Sequence, residues 1–223
     1  MTRGALLFDI DGTMADTDPI HLQAFNRVLG EFGHSFDHHR YGRELQGFAN
    51  RAIAERFLPD LDPAAQADVM ARKEATFREL VRAEIRPMPG LNELLDAADA
   101  AGVPVVAVTN APRANAELLL DGIGLMQRFV ALVIGEELAH GKPHPLPYLE
   151  GLRHTAADPT LSLAFEDSRS GIQSATAAGI ATIGIRSGLA HSDLVAAGAI
   201  TSAAHFADPV LLALVSDRLG IRV

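Results

Sequence analysis

The sequence predicts an α/β fold, a Rossmann-like parallel sheet core with a helical bundle inserted after its first strand. Short apolar, β-branched runs recur at residues 5–9, 103–109, 129–134, 161–165 and 181–185. Longer stretches of helical periodicity lie between most of them, the alternation that builds a buried parallel sheet. Residues 17–87 break that alternation: they hold no strand signal and read as helices separated by turns.

Taken in order, residues 5–9 form the first buried strand, closed by Asp9 and Asp11. Inside the insertion, Ile20, Ala24, Val28 and Leu29 predict a helix over 19–32 stopped by Gly33. Further helices are expected over 50–57 and from Pro63 to about residue 85, where Pro87 and Pro89 end the run. Linkers near 15–18 and 86–90 divide the chain into a core of residues 1–16 and 88–223 and a helical insertion of residues 17–87. In the core, helices over 91–101, 113–120 and 170–178 stop at Gly102, Gly122 and Gly179. Asp208 and Pro209 open a last helix over 210–219, terminated by Gly220.

With 223 residues the chain can build one sizeable core, or a core of about 150 residues with a small accessory domain. Hydrophobic residues at 48% and charged residues at 21% match a folded globular chain rather than a disordered one. A formal charge of -9 works against nucleic acid or an anionic membrane surface as partner, so an anionic ligand must be held by a local arrangement. The absence of cysteine excludes disulfides, thiolate metal sites and a cysteine nucleophile. The first apolar run is too short and too acidic for a signal peptide, and no segment approaches the roughly 18 apolar residues that span a bilayer. The chain therefore reads as cytoplasmic, and as a monomer or a homodimer.

The strongest chemical signal is Asp9-Ile10-Asp11-Gly12-Thr13, directly after an apolar strand. Open parallel sheets bind ligands beyond the carboxyl ends of their strands, and residues two apart there can share one side. Both carboxylates can face a common ligand, Gly12 permits a sharp turn, and Mg2+ prefers hard oxygen donors. The plainer reading is an acidic strand-end turn. Later strand ends add Thr109-Asn110, a hydroxyl and an amide before a helix, and Glu166-Asp167, adjacent carboxylates that are costly without a cation between them. Lys142 sits in Gly141-Lys142-Pro143-His144-Pro145, where prolines fix a loop and an ammonium can neutralise phosphate charge. Each of these alone has a structural explanation; their order along successive strand ends favours a shared site.

Asp9 to Thr13, Thr109, Lys142 and Glu166-Asp167 resemble, in order and over nearly the whole chain, the four signature motifs of the haloacid dehalogenase-like hydrolases. The insertion is similar to the cap of the branch holding β-phosphoglucomutase and many sugar-phosphate phosphatases. Gly141-Lys142-Pro143 and Phe165-Glu166-Asp167-Ser168 followed by Gly171 resemble that branch in detail. The resemblance implies Asp9 as a nucleophile forming an aspartyl phosphate and Asp11 as general acid and then base. It implies Mg2+ held by Asp9, the backbone carbonyl of Asp11 and Asp167, with Glu166 close or bridging through water. Thr109, Asn110, Ala111 and Lys142 would hold the phosphoryl group of a small phosphorylated metabolite. Halide-removing members lack the second aspartate, and receiver domains lack the helical insertion.

In the cap, the resemblance points to His21, Gly47 and Lys73 as substrate contacts, against plainer readings of His21 as a half-buried helix residue and Lys73 as a solvated charge. The mutases carry an arginine three residues after the cap glycine; here Asn50 stands there and Arg51 comes one later. Thr13 also occupies a position where mutases usually have a branched aliphatic residue. A phosphatase is therefore favoured over a β-phosphoglucomutase-like phosphotransferase, with a non-catalytic phospho-ligand binder as the alternative of another class. Arg78, Arg82 and Arg86, with Glu74 and Glu79 nearby, read as a solvated helix face. His34, His38 and His39 fall in an expected loop without acidic partners, and His140 and His144 lack a helix to share.

Overall fold

Residues 3–81 and 85–222 are described in the computed structural model. Six parallel strands, β1 (Leu6–Phe8), β2 (Val105–Thr109), β3 (Ala131–Ile134), β4 (Leu163–Glu166), β5 (Ala181–Ile185) and β6 (Thr201–Ala203), form one sheet in the order β3-β2-β1-β4-β5-β6. Side chains alternate across a strand, and the sheet buries both faces. Leu6 and Phe8 thus join Val105, Ala107, Leu163 and Phe165 in one apolar cluster, whereas Leu7 joins Val106, Val108 and Ala164 in another. The Phe8 and Phe165 rings stack at 4.7 Å between centroids where β1 and β4 pair.

Helices cover both faces. On the Phe8 side lie α5 (Leu91–Ala101), α6 (Arg113–Gly122) and α10 (Pro209–Leu219); on the Leu7 side lie α7 (Leu146–Thr155) and α8 (Arg169–Ala177), with α9 (His191–Ala197) packed on α8 through Leu194. Between β1 and α5 the chain builds α1 (Asp18–Leu29), α2 (His38–Glu44), α3 (Asn50–Phe57) and α4 (Pro63–Leu80). These four bury a cluster of their own, including Phe25, Leu29, Tyr41, Leu45, Ile53 and Met70. Ala24 and Phe77 face the other way and complete the sheet-side core, so α1 and α4 are covered on two sides.

Several expectations need correction. The third insertion helix ends at Leu80 rather than near residue 85, and Arg82 lies outside the described residues. His38 and His39 are not in a loop: they open α2, whose first turn is capped by the Asp37 carboxylate accepting from the Arg40 amide at 2.7 Å. Neither β6, α7 nor α9 was anticipated. In α7 the prolines mark a helix start: Pro145 is the cap and Pro147 sits in the first turn, where a missing amide hydrogen costs nothing.

Candidate active site

The chain leaves β1 toward β2 and later crosses to β4 on the opposite side, so the sheet's switch point lies at the carboxyl end of β1. Asp9 follows β1 there, Thr109 ends β2, and Glu166 and Asp167 end and follow β4. Lys142 arrives from the segment after β3, with a cis peptide to Pro143. Its ammonium donates to Asp9 Oδ1 at 2.6 Å, Glu166 Oε1 at 2.6 Å and the Val108 carbonyl at 2.8 Å. All three of its donors are thereby used.

Glu166 is fully buried and heavily committed. Its Oε1 also accepts from the Tyr148 hydroxyl at 2.7 Å, and its Oε2 from Ser168 Oγ at 3.1 Å. Burial first, and Glu166 second, push the Tyr148 phenol well above its ordinary range, so it stays a donor. Asp167 accepts from Thr13 Oγ1 at 3.2 Å, Gln46 Nε2 at 2.6 Å and Ser187 Oγ at 3.3 Å. Gly12 turns at φ 72°, and a Cβ there would overlap the Asp167 carboxylate, so only glycine lets the β1 turn approach it.

Asp9, Glu166 and Asp167 offer carboxylate oxygens that all lie within 4.8 Å of one another. Three buried carboxylates against one ammonium leave two negative charges unbalanced, the charge one Mg2+ carries. Electrostatics agrees: burial, then repulsion from Glu166, raises Asp9 well above the ordinary carboxylate range even beside Lys142. Burial, then Asp18 and Asp9, does the same to Asp167. Burial alone would lower Lys142; Asp9 and Glu166 reverse it and keep the ammonium charged. An all-oxygen donor set with surplus negative charge fits a hard divalent cation.

Asp11 faces the insertion. Its Oδ1 accepts from Thr17 Oγ1 at 3.1 Å and from His21 Nε2 at 2.9 Å. The other ring nitrogen of His21, Nδ1, lies 3.1 Å from Lys73 Nζ; an ammonium only donates, so Nδ1 accepts and Nε2 carries the proton. The imidazole stacks on Phe77 at 3.8 Å, which fixes its plane. Burial pushes the Asp11 carboxyl up, but the His21 and Thr17 hydrogen bonds and the Lys73 charge outweigh it, so Asp11 is held below its ordinary value. Lys73 itself is 2% exposed and bonded to Glu74 at 2.9 Å, not a solvated charge.

The remaining predicted residues gather at the same place with other partners than expected. Thr109 Oγ1 accepts from the Ala111 amide at 2.9 Å, closing the turn after β2. The Asn110 side chain accepts from the Lys142 amide at 2.9 Å and donates to the Lys142 and Gly47 carbonyls, so it anchors the lysine loop and the insertion. Gly47 at φ 76° docks on the core through that bond and one from Ser170 Oγ at 2.7 Å. A Cβ on Gly47 would overlap the Ser168 and Ser170 hydroxyls. Gly47→Ala is therefore expected to raise KM for the substrate at least about tenfold by holding the insertion off the core, with a melting temperature lower by roughly a few degrees from the strained φ; unchanged steady-state kinetics would contradict this.

Asp9, Asp11, Lys142 and Asp167 line one small cavity of about 70 Å³ with His21, Gln46, Lys73 and Thr109. Asn50 and Glu74 also line a neighbouring cleft of about 840 Å³ between α3, α4 and the core, lined by Ala54, Met70, Arg78 and Glu136. Asn50 donates to Glu136 Oε1 at 3.1 Å. Arg51 turns outward to Glu55, with its side chain 89% exposed, and does not line the small cavity.

Gln46, Tyr148, Asp18, Glu74 and Asn115 were not identified from the sequence. Gln46 Nε2 bridges Asp167 to Asp18 Oδ2, 2.9 Å away, and burial raises Asp18 to about 6 despite the Tyr41 hydroxyl on its Oδ1. The solvated-face reading of residues 74 and 78 also fails: Glu74 is buried, and Arg78 is half-buried against Asn115.

A parallel sheet that gathers an aspartate, a lysine and further carboxylates at its switch point has the class of site a phosphoric monoester hydrolase needs. The family description that matches, haloacid dehalogenase-like hydrolase, covers residues 6–185, and the chain belongs to that family. Among its relatives, Protein CbbY of Rhodobacter capsulatus is 33% identical over 193 residues, 82% of this chain and 85% of that protein. Fructose-1-phosphate phosphatase YqaB of Escherichia coli K12 is also 33% identical, over 81% of this chain and 95% of its own. The crystal structure of CbbY from Rhodobacter sphaeroides in complex with phosphate superposes with a TM-score of 0.79 at 29% identity, over 93% of this chain and 96% of that one.

Proposed function

We propose that the protein is an Mg2+-dependent phosphatase that hydrolyses a small phosphorylated metabolite, a sugar phosphate, through an aspartyl phosphate on Asp9. The observation that carries this reading is the buried group formed by Asp9, Lys142, Glu166 and Asp167, with its two unbalanced negative charges. The phosphatase relatives support it.

Asp9, Asp167 and the backbone carbonyl of Asp11 would hold Mg2+, with Glu166 behind them on Lys142. There the ion would supply Lewis-acid neutralisation of the phosphoryl charge. Lys142 occupies only Oδ1 of Asp9, which leaves Oδ2 to attack phosphorus. The new Oδ2–P bond forms as the bond from phosphorus to the leaving oxygen breaks, and Asp11 gives that oxygen its proton. The hydrogen bonds and charges around Asp11 favour its ionised form, and an arriving phosphoryl dianion raises its pKa toward the acid form. Water then attacks phosphorus, Asp11 takes the water's proton, and the Oδ2–P bond breaks to return Asp9. The Thr109 hydroxyl holds an equatorial oxygen, and the Lys142 charge, fixed between Asp9 and Glu166, stabilises the transferring group electrostatically; positioning and charge account for most of the acceleration.

Residues 17–87 act as a cap over a core of residues 1–16 and 88–223, and its closure excludes water. The leaving group extends past Asn50 and Glu74 toward the larger cleft. Among the described residues no arginine lines the small cavity, whereas Arg51 and Arg78 line the larger cleft; Arg51 is already paired with Glu55, which favours hydrolysis over return of the phosphoryl group to the sugar. Incubation with hexose phosphates and Mg2+ tests this: stoichiometric inorganic phosphate is expected, and an isomeric hexose phosphate without phosphate release would refute it.

Metal binding also carries a pH signature. Asp9, Asp18 and Asp167 hold protons in the fold that the unfolded chain has already released, Asp18 up to about 6. A native state with the higher proton affinity loses stability as pH rises, here from the ordinary carboxylate range of about 4 through about 6 and beyond. Mg2+ favours the ionised carboxylates, so the rise in melting temperature on adding Mg2+ is expected to be larger at about pH 7.5 than at about pH 5.5. A rise independent of pH would contradict this account.

A further inference from the structure

We infer that Asn115 is a positioning residue through which docking of α4 on α6 completes the hydrogen-bonded relay that orients Asp11; this rests on the reading of Asp11 as the general acid. Asn115 belongs to the core, in the first turn of α6, and is fully buried. Both ends of its side chain are taken by α4. Nδ2 donates to Glu74 Oε2 at 2.6 Å, and Oδ1 accepts from Arg78 at 2.8 Å.

Glu74 and Arg78 stand one turn apart on α4, so a single amide reads both at once. Reversing it would set an NH2 against the guanidinium and a carbonyl against the carboxylate, so only one orientation is satisfied. From Glu74 the path continues without a gap: Oε1 accepts from Lys73 at 2.9 Å, Lys73 donates to His21 Nδ1 at 3.1 Å, and His21 donates to Asp11 Oδ1 at 2.9 Å. Lys73 is a point charge on a flexible stem, packed 4.1 Å from the Phe25 ring centroid. The Glu74 carboxylate fixes where that charge sits, and Glu74 is itself fixed from the core side by Asn115.

The relay meets the core at both ends, through Asn115 at one and through Asp11 at the other. Separating α4 from α6 breaks its Asn115 end. Glu74 then loses its core-side donor, and the Lys73 charge that sets the His21 tautomer loses its fixed position. Closing the cap restores them together, so proton delivery at Asp11 is assembled only when water is excluded. Substrate enclosure and the acid are joined at one amide.

The test uses leaving groups. Departure of a sugar alkoxide needs a proton, whereas 4-nitrophenolate leaves without one. First-turnover rates are measured for 4-nitrophenyl phosphate and for the hexose phosphate turned over fastest. Asn115→Ala is expected to slow the hexose phosphate about tenfold or more, inside the range of acid–base catalysis, and 4-nitrophenyl phosphate by no more than about twofold. Asn115→Asp, which keeps the shape, lies outside the cavity lining and sets an acceptor against Glu74, is expected to show the same selective loss and decides the matter if Asn115→Ala does not fold. Equal losses on both substrates in the variant that folds, beside a selective loss in Asp11→Asn, would overturn the inference and leave Asp11 as the acid. Equal losses in Asp11→Asn itself would overturn the underlying reading instead.

Discussion

Asp9→Asn is expected to lower phosphate release by about 10⁴-fold or more while the protein stays folded. The amide keeps the size of the carboxylate and can still accept from Lys142, so the packing at the end of β1 survives. What disappears is the carboxylate whose Oδ1 is held by Lys142 and whose Oδ2 is left for the attack on phosphorus. Burial and Glu166 already push the Asp9 carboxyl toward its neutral form. A neutral side chain there therefore relieves repulsion, and the melting temperature without Mg2+ is expected to be equal or higher. Residual turnover near that of the parent enzyme would remove Asp9 from the chemistry, and a collapsed melting temperature would mean that its role is structural.

Lys142→Met should act in the opposite sense on stability. It strips the one cation from between Asp9 and Glu166, and leaving buried charges without a partner costs about 3–5 kcal/mol. Chemical denaturation is expected to show that loss together with a large fall in turnover. Adding Glu166→Gln to Lys142→Met removes one of the orphaned charges and should recover part of the stability, because residues in contact are not additive. Turnover should not return, since the positive charge beside Asp9 that stabilises the transferring phosphoryl group is still missing. If the two substitutions instead add their losses, the ion pair is not the unit described here.

How far the sequence foretold this arrangement differs from element to element. The strands β1 to β5 could be read because a parallel sheet buried on both faces writes itself as continuous apolar runs. β6 is short, at the sheet edge and reads Thr-Ser-Ala, which carries no such run. α2 is a single polar segment of seven residues, and α7 was hidden by prolines that serve as its start. At the site, strand-end groups were accessible to reasoning because α/β topology collects the ends of β1, β2 and β4 wherever they lie in the chain. Gln46, Tyr148 and Asn115 were not, since each acts through a partner at a distance in sequence that no local pattern encodes. Glu74 is the instructive case. Helical spacing placed it on a polar stripe, but α4 is covered on two sides, and a stripe that faces α6 looks from spacing alone like one that faces water.

Transfer of the phosphoryl group to Asp9 and its release by water activated at Asp11 can be separated by substitution. In Asp11→Asn the first step with 4-nitrophenyl phosphate needs no proton, whereas the second lacks its base, so a phosphorylated enzyme should accumulate. Acid quenching, digestion and mass spectrometry of that variant with Mg2+ are expected to find one phosphoryl group on the peptide that contains Asp9. A burst of 4-nitrophenol with the phosphoryl group on any other residue, or on none, would contradict the account.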